Sequence, residues 1–352
     1  MRPISLVYCT HRKTPHWNWW VDAICNQADF DQRRHLNVIF VDGQLWDSKM
    51  PLGAMQTIGP SLRLADPLFH DQDRRLELEL IVNNRLDYTH IPPMPSVYSG
   101  PFRLTKKDWF DASNTRNTGF VAAVYPYVGF CDDLSVPGRQ WLDQLLHAAE
   151  HDYTVAGMYK KVKKLIVENG VRMSHEEFPG GVDSRWEHGS PEGIVEWTGS
   201  IYGCSFGVPL DAALTVDGFE MACSGSGGED YDFGIRLNRS GQKVYLNQNL
   251  FTFESEEGHH SENFMDLKLR ERREVIRANL PVAYDSYSLC NDAEKYMSDH
   301  VLLNRVRNEA RITPLLPQNL RALREQYQAT GLVPVPTQPT LDWRDNVPLC
   351  SL

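Results

Sequence analysis

The sequence predicts an α/β fold, in which the strands of a largely parallel sheet alternate with helices. Three observations support it. Short apolar runs of strand length alternate with helically spaced segments over the first third of the chain. Acidic residues follow directly after two of the predicted strands. The composition is that of a globular protein, with 352 residues of which 41% are hydrophobic, which excludes collagen-like, coiled-coil and wholly disordered chains.

The first elements alternate clearly. Residues 4–9 form a short apolar run that predicts a strand, and residues 17–27 have the spacing of a helix with Trp20 and Ile24 on one face. Residues 38–41 predict a second buried strand, which ends at Asp42. Ligands of open α/β sheets bind at the carboxyl ends of strands, so Thr10, Arg12 and Asp42 lie where a ligand is expected.

The remaining elements are less regular. Residues 47–105 are rich in proline and polar residues, and only 77–82 resemble a strand. Asn169-Gly170 predicts a type I′ hairpin within 163–172. Further predicted elements are a helix over 117–125, a strand over 127–131, a helix over 138–151, a strand over 195–206, a helix from 209, a short helix that ends at Gly241, and helical segments over 262–279, 292–311 and 317–329.

Charge and cysteine content narrow the class of protein. The formal net charge is −10, with 36 Lys and Arg against 46 Asp and Glu, which argues against an obligate nucleic-acid coat. The seven cysteines form no CxxC pair, so neither a zinc knuckle nor a disulfide framework is indicated. We find no signal-peptide-like stretch and no apolar window long enough to span a membrane, and we expect a soluble cytoplasmic protein.

Two adjacent carboxylates follow the predicted strand over 127–131. Asp132 and Asp133 supply hard oxygen atoms, which suit Mg²⁺ or Mn²⁺, and such an ion can neutralise a diphosphate. The alternative is a solvated turn or an N-cap of the helix that follows.

A second acidic stretch follows a glycine-rich loop over 224–228. Glycines let the backbone approach a ligand closely, and Glu229, Asp230 and Asp232 would lie at a helix N-terminus. Acidic side chains are electrostatically favoured there, so a purely structural role is the alternative. The loop is not a phosphate-binding loop, because no Lys-Ser/Thr follows the glycines.

Several segments, in this order, resemble nucleotide-sugar glycosyltransferases of the A-type fold, in the large inverting family. They are the opening strand with Thr10 and Arg12, the strand that ends in Asp42, Asn114-Thr-Arg-Asn-Thr-Gly, which is similar to the Ala-Arg-Asn-x-Gly helix, and Phe-Cys-Asp-Asp-Leu, which is similar to the aspartate motif. Gly-Gly-Glu-Asp-Tyr-Asp over 227–232 resembles the Gly-Gly-Glu-Asp-Asp-Asp loop of the β-galactosyltransferases. The match covers roughly residues 4–260.

This resemblance implies a Rossmann-like mixed sheet flanked by helices, with a C-terminal helical extension. Residues 1–290 would form the catalytic domain, with a nucleotide-binding part over about 1–135 and an acceptor-binding part over about 195–265. Residues 291–352 would form a helical, proline-rich extension that is not catalytic. We expect it to pack on the catalytic domain or to mediate self-association as a homo-oligomer.

The resemblance also implies a divalent metal, Mn²⁺ or Mg²⁺. The usual motif has Asp at its first and third positions, but Leu134 occupies the third here. Asp133 is then the expected metal ligand, with Asp132 on the ribose or sugar. A histidine after the acceptor loop would complete the site, and His259 and His260 are the candidates. Adjacent residues of an extended segment face opposite sides, so at most one of the two would bind.

On the donor side, the resemblance implies contacts from Thr10, Arg12, Asp42, Arg116, Asn117 and Asp132. Arg116 would contact the diphosphate or the aspartate motif, although a structural ion pair is an equal alternative. An acceptor hydroxyl would attack the anomeric carbon opposite the departing diphosphate. Asp230 is the expected general base, and Glu229 would orient the acceptor.

The expected partners are a nucleoside-diphosphate sugar, with UDP favoured, and an acceptor hydroxyl on a glycan or another molecule. Two alternatives remain open. A cluster of basic residues, Lys160, Lys161, Lys163 and Lys164, would suit a nucleic-acid acceptor such as the hydroxylated bases of DNA. The protein could instead be a non-catalytic sugar-binding or scaffolding protein with a decayed site.

Overall fold

The computed structural model describes residues 2–46, 72–96, 110–190, 193–197, 201–221, 228–257, 311–314 and 317–336. The strands are β1 (Ile4–Thr10), β2 (Leu36–Asp42), β3 (Asp87–Ile91), β4 (Tyr127–Asp132), β5 (Ser135–Pro137), β6 (Thr154–Glu168), β7 (Val171–Val182), β8 (Ile194–Glu196), β9 (Ser205–Pro209) and β10 (Val244–Ser255). The helices are α1 (Trp17–Gln27), α2 (Phe30–Arg33), α3 (Gln72–Val82), α4 (Ala112–Ala122), α5 (Trp141–Glu150), α6 (Leu210–Thr215), α7 (Glu229–Arg239) and α8 (Leu320–Thr330).

Within these residues, ten strands form one mixed sheet in the order β3-β2-β1-β4-β9-β6-β10-β5, with β7 paired to β6 and β8 paired to β10. Strands β3, β2, β1 and β4 are parallel, whereas β9 is antiparallel to both β4 and β6. The predicted architecture, a Rossmann-like mixed sheet flanked by helices, is confirmed.

The strand order positions the site. The chain builds β2 and β3 on one side of β1 and then places β4 on the other side, so the order reverses at β1. The carboxyl ends of these parallel strands share one edge of the sheet. Crevices for ligands form at this edge, next to the reversal point.

Helices cover both faces of the sheet, because side chains of β1 alternate between two apolar cores. Leu6 and Tyr8 pack with α1, α3 and α5, whereas Val7 and Cys9 lie in the core that contains α4, α6, α7 and α8. This alternation follows from the two-residue period of a strand. A strand covered on both faces is fully buried, as every residue of β1 is, and the mainly apolar run over 4–9 agrees with this.

The hairpin predicted at Asn169-Gly170 is confirmed as the β6–β7 connection. Both residues have positive φ, 49° at Asn169 and 72° at Gly170, as a type I′ turn requires. The turn lies close against α1, because a Cβ built on Gly170 would be 2.1 Å from the backbone nitrogen of Ala23. The positive φ and the close approach to Ala23 therefore both exclude a side chain at position 170.

Two element predictions are wrong. Residues 77–82 belong to helix α3 and not to a strand; Leu78 and Val82 are both fully buried, and their spacing of four residues is helical. In place of the single strand predicted over 195–206, the structure has two strands, β8 and β9, with a turn at Gly203 before β9. Strand β8 pairs with β10, whereas β9 pairs with β4. The helices predicted over 262–279 and almost all of 292–311 lie outside the described residues.

The helix predicted over 317–329 is confirmed as α8, which packs against α4 through Leu320 and Leu323. The Asp217 carboxylate accepts the backbone N–H groups of residues 318, 319 and 320 at 2.7, 3.0 and 2.6 Å. This segment of the predicted extension is thus anchored on the sheet-containing part of the chain. Among the described residues, we find no helix with the length and apolarity needed to cross a membrane.

Candidate active site

Asp42 ends β2 in a fully enclosed position. Its carboxylate accepts hydrogen bonds from the Arg74 guanidinium, with Nη2 2.9 Å from Oδ1, and lies 3.0 Å from His90 Nε2. The backbone N–H of Gln44 donates to it as well. Burial acts to raise the pKa of Asp42, but His90 and Arg74 outweigh it and lower the pKa below its ordinary value. In the structure, Asp42 joins the ends of β2 and β3 to helix α3.

Asp133 lies just beyond β4 and faces the end of β1. Its Oδ2 atom is 2.8 Å from both Thr10 Oγ1 and Arg12 Nε. The structure therefore brings together three residues that the sequence predicted separately. Burial raises the pKa of Asp133, and the neighbouring Arg12 charge partly offsets this effect.

Arg116 lies at the centre of the site. Helix α4 is buried along nearly its whole length, so this guanidinium requires acidic partners. Nη1 is 2.8 Å from Glu229 Oε1 and Nη2 is 3.2 Å from Asp132 Oδ1. The predicted contact of Arg116 with the aspartate motif is present as an ion pair, and its role in donor binding stays a prediction. A single cation thus links the acid at the end of β4 with the first acid of α7.

Helix α7 begins at the acidic motif, and its start needs glycine. Gly228 caps the helix at a φ of 92°, which L side chains rarely adopt. Glu229 and Asp230 occupy the first turn, where the helix dipole favours negative charge. Asp230 Oδ2 accepts the backbone N–H of Gly203 at 3.1 Å, and Oδ1 accepts the N–H of Tyr231.

Burial raises the pKa values of both Glu229 and Asp230, and for Glu229 the neighbouring Asp230 charge adds to this effect. Arg116 opposes both shifts. A buried carboxylate with a raised pKa is a stronger base than one in water. The pair is therefore suited to accept a proton from a hydroxyl group.

The remaining predicted site residues are Asn117, His259 and His260. Asn117 is fully buried in α4; its side-chain amide donates to the carbonyl oxygen of Phe219 and accepts from the Phe219 N–H, at 3.0 and 2.7 Å. In the structure it therefore supports the loop before α7, and its donor-binding role stays a prediction. His259 and His260 lie outside the described residues, as do the glycines over 225–227.

Sequence reasoning missed Gly203 and Glu254. Gly203 supplies the N–H that holds Asp230, and nothing in its local pattern indicates this role. Glu254, at the end of β10, is buried near Lys161 and Asp132, and this burial raises its pKa to about 7. Asp132 was identified as a carboxylate at the end of a buried strand, and the same signal would have identified Glu254.

The carboxylate oxygen atoms of the aspartate motif are suitable ligands for a divalent cation. Mg²⁺ and similar ions are commonly held by one or two carboxylates, with phosphate oxygens and water in the other positions. Asp132, whose side chain is 32% exposed, and Asp133 offer such oxygens. Among the described residues, no three His, Cys, Asp or Glu side chains are grouped to hold an ion by themselves. Because such an ion takes its other ligands from phosphate and water, the two carboxylates suit an ion shared with a diphosphate.

Gly203→Ala should displace Arg116 from its two acids. A Cβ built at this position would be 2.0 Å from Arg116 Nη2, which the ion pairs hold in place. We expect a loss of about 1–3 kcal/mol in the free energy of unfolding, measured in urea. Gly193→Ala is the matched control, because among the described residues, its chain neighbours aside, no atom lies within 4 Å of a Cβ built there. Equal stability of both variants would contradict close packing of Gly203 on Arg116.

The lysine cluster is neutralised by glutamates. Lys160 and Lys163 on β6 pair with Glu177 and Glu176 on β7, at 2.8 and 3.1 Å. Lys161 contacts Glu254 and Glu256, and Lys164 contacts Glu257. A phosphate-binding face needs uncompensated positive charge, so this arrangement does not favour a nucleic-acid partner.

No family model and no curated protein matches the chain. Among solved structures, it is similar to S. aureus TarS, at 12% identity and a TM-score of 0.45 over 88% of this chain and 44% of that one. The mannosyltransferase PcManGT from Pyrobaculum calidifontis, solved with GDP-Man and Mn²⁺, matches at 12% identity and a TM-score of 0.44, covering 94% and 76%. GalNAc-T7, solved with UDP, GalNAc and Mn²⁺, matches at 9% identity and a TM-score of 0.48, covering 99% and 59%. The chain thus spans less than half of the length of TarS.

Proposed function

We propose that this protein is a glycosyltransferase that moves a sugar from a nucleoside-diphosphate sugar, with UDP favoured, to an acceptor hydroxyl on a glycan. One observation carries the proposal: Arg116 joins Asp132, at the carboxyl edge of the parallel strands, to Glu229 in the acidic turn that also holds Asp230. Carboxylates suited to a metal–diphosphate group and a carboxylate suited to act as a base therefore share one site.

The donor would bind across the ends of β1, β2 and β4. Thr10 and Arg12 converge on Asp133, and a nucleotide at this edge would meet Arg12 and the polar end of β1. Asp133 would hold a divalent ion, either Mn²⁺ or Mg²⁺, which when bound neutralises the charge that develops on a leaving diphosphate, and Asp132 would contact the ribose or the sugar. One of His259 and His260 remains the proposed additional ligand.

The acceptor side would lie at the start of α7. Asp230 would accept the proton of the attacking hydroxyl, and Glu229 would bind a second acceptor hydroxyl, both in the inverting geometry that the resemblance implies. The backbone N–H groups of Gly203 and Tyr231 fix both oxygens of Asp230, so the base is oriented before the acceptor arrives.

The test is a panel of nucleotide sugars with Mn²⁺ or Mg²⁺, scored by donor hydrolysis and by thermal stabilisation. Hydrolysis uses water as the acceptor, so the natural acceptor need not be known. Turnover of one donor supports the proposal. Stabilisation without hydrolysis would support a non-catalytic sugar-binding protein, and turnover only with hydroxylated DNA would support the nucleic-acid alternative.

Asp133→Ala should weaken Mn²⁺-dependent nucleotide binding by about 100-fold or more. Loss of a residue that only supports a metal ligand typically costs about 10–100-fold, and the Asp133 carboxylate is the proposed ligand itself. The measurement is nucleotide Kd by calorimetry, with and without EDTA. Asp143→Ala, at an exposed position on α5, is the matched control. Nucleotide affinity that EDTA leaves unchanged in the wild-type protein would contradict a metal-dependent site.

A further inference from the structure

The short segment over 202–204 contacts both halves of the proposed site. The N–H of Gly203 donates to Asp230 Oδ2 at 3.1 Å, and the carbonyl oxygen of Cys204 accepts the N–H of Asp132 at 3.3 Å. The position of this segment therefore sets where the proposed base lies relative to the aspartate motif.

A buried arginine holds the segment from the other side. The Arg185 guanidinium lies over the Tyr202 ring, with Cζ 3.9 Å from the ring centroid. Arg185 is only 3% exposed, and Asp183 orients it, with Nε–Oδ1 and Nη2–Oδ2 distances of 3.1 and 2.7 Å. Its Nη2 also donates to the carbonyl oxygen of Gly157 on β6, at 2.6 Å. The guanidinium is thus fixed by β6 and by the helical turn after β7.

A stacked, immobilised guanidinium is a rigid support for an aromatic ring. Cation–π contacts are strongest where the cation is desolvated, as Arg185 is. Gly203 directly follows Tyr202 in the chain. A shift of the Tyr202 ring therefore moves the backbone N–H of Gly203, which donates to Asp230. A displacement of about 1 Å at a reacting group can cost about 10²-fold in rate.

We propose that Arg185 is a positioning residue for Asp230, acting through the Tyr202 ring and the Gly203 N–H. This inference rests on the proposed function, because it assigns the base of that reaction as the group being positioned. Arg185 is also close enough to Asp230 to lower its pKa, against the effect of burial. Neither Arg185 nor Asp183 belongs to the motifs that indicated the site.

The test compares Tyr202→Phe with Tyr202→Ala, and Arg185→Lys with Arg185→Gln. Tyr202→Phe keeps the ring and should retain wild-type kcat for donor hydrolysis. Tyr202→Ala and Arg185→Gln should each lower kcat by about 10–100-fold, with nucleotide Kd unchanged. Arg185→Lys keeps the positive charge but loses the planar guanidinium over the Tyr202 ring. Its kcat should lie between the wild-type value and that of Arg185→Gln. Arg321→Gln, which breaks an exposed ion pair with Asp211, should have no effect.

A crystal structure of Tyr202→Ala separates this inference from the proposed function. We expect the hydrogen bond from Gly203 to Asp230 to be lengthened or lost, whether or not the wild-type protein turns over a sugar nucleotide. An unchanged bond would overturn the inference, as would wild-type kcat in Tyr202→Ala or equal loss in Tyr202→Phe and Tyr202→Ala. Absence of turnover in the wild-type protein would instead count against the proposed function.

Discussion

Asp230→Asn is expected to lower kcat of sugar transfer, or of donor hydrolysis, by about 10²–10⁴-fold, which is the usual contribution of general-base catalysis. The substitution keeps the size of the side chain but removes its ability to accept a proton from the attacking hydroxyl. Nucleotide Kd should change little, because the loss is confined to the transition state. Kinetics of donor hydrolysis, together with calorimetry of nucleotide binding, measure the two quantities separately.

The pH dependence gives a second signature of the same role. Asp230 acts as a base only when ionised, so the rate should rise with pH through its pKa. Burial raises this pKa, while the charges of Arg116 and Arg185 partly offset the effect. We therefore expect the acidic limb of the wild-type profile above the ordinary aspartate pKa, about 4, and its absence in Asp230→Asn.

Asp211→Asn, at an exposed position of α6, serves as the control and should retain full activity. Near-normal kcat in Asp230→Asn would remove Asp230 from the role of base. Inversion is tested separately by NMR of the product, because an α-linked donor should give a β-linked product. A retained α linkage would contradict the inverting displacement without affecting the donor site.

Asp42→Asn is expected to lower the free energy of unfolding by about 3–5 kcal/mol, measured by urea denaturation at pH 7. The asparagine would remove the Asp42 carboxylate charge from beside Arg74, a buried cation that is 6% exposed. Asp211→Asn is again the control: it breaks a surface ion pair with Arg321 and should cost at most about 1 kcal/mol.

The sign of the pH effect follows from the lowered pKa of Asp42. A group whose pKa is lower in the folded protein stabilises it when ionised, and this contribution is lost as the pH falls through the folded value. The difference in stability between wild type and Asp42→Asn should thus be full at neutral pH and should narrow below about pH 4. A difference that is constant with pH would contradict an ionised Asp42.

Local sequence patterns were sufficient to predict the backbone conformation of several segments. The strand over 4–9, the turn at Asn169-Gly170 and the helix start after Gly228 all follow from preferences that act over a few residues. Parallel strands bring their carboxyl ends to one edge, so the proximity of Thr10 and Asp133 was also predictable in outline. The prediction failed at 77–82, because six residues are too few to separate a buried helical face from a strand.

What the acidic groups contact was decided only by the tertiary structure. Arg74 reaches Asp42 from a helix that the sequence did not predict, and Arg116 meets Glu229 across 113 residues of chain. Such partners depend on how layers pack, since a guanidinium can pair with any carboxylate that packing brings within reach. The support of Asp230 by the Gly203 N–H is likewise a backbone contact, which no side-chain motif encodes. The sequence by itself thus determined where the carboxylates leave the sheet, whereas long-range packing determined which cation and which backbone donor each one meets.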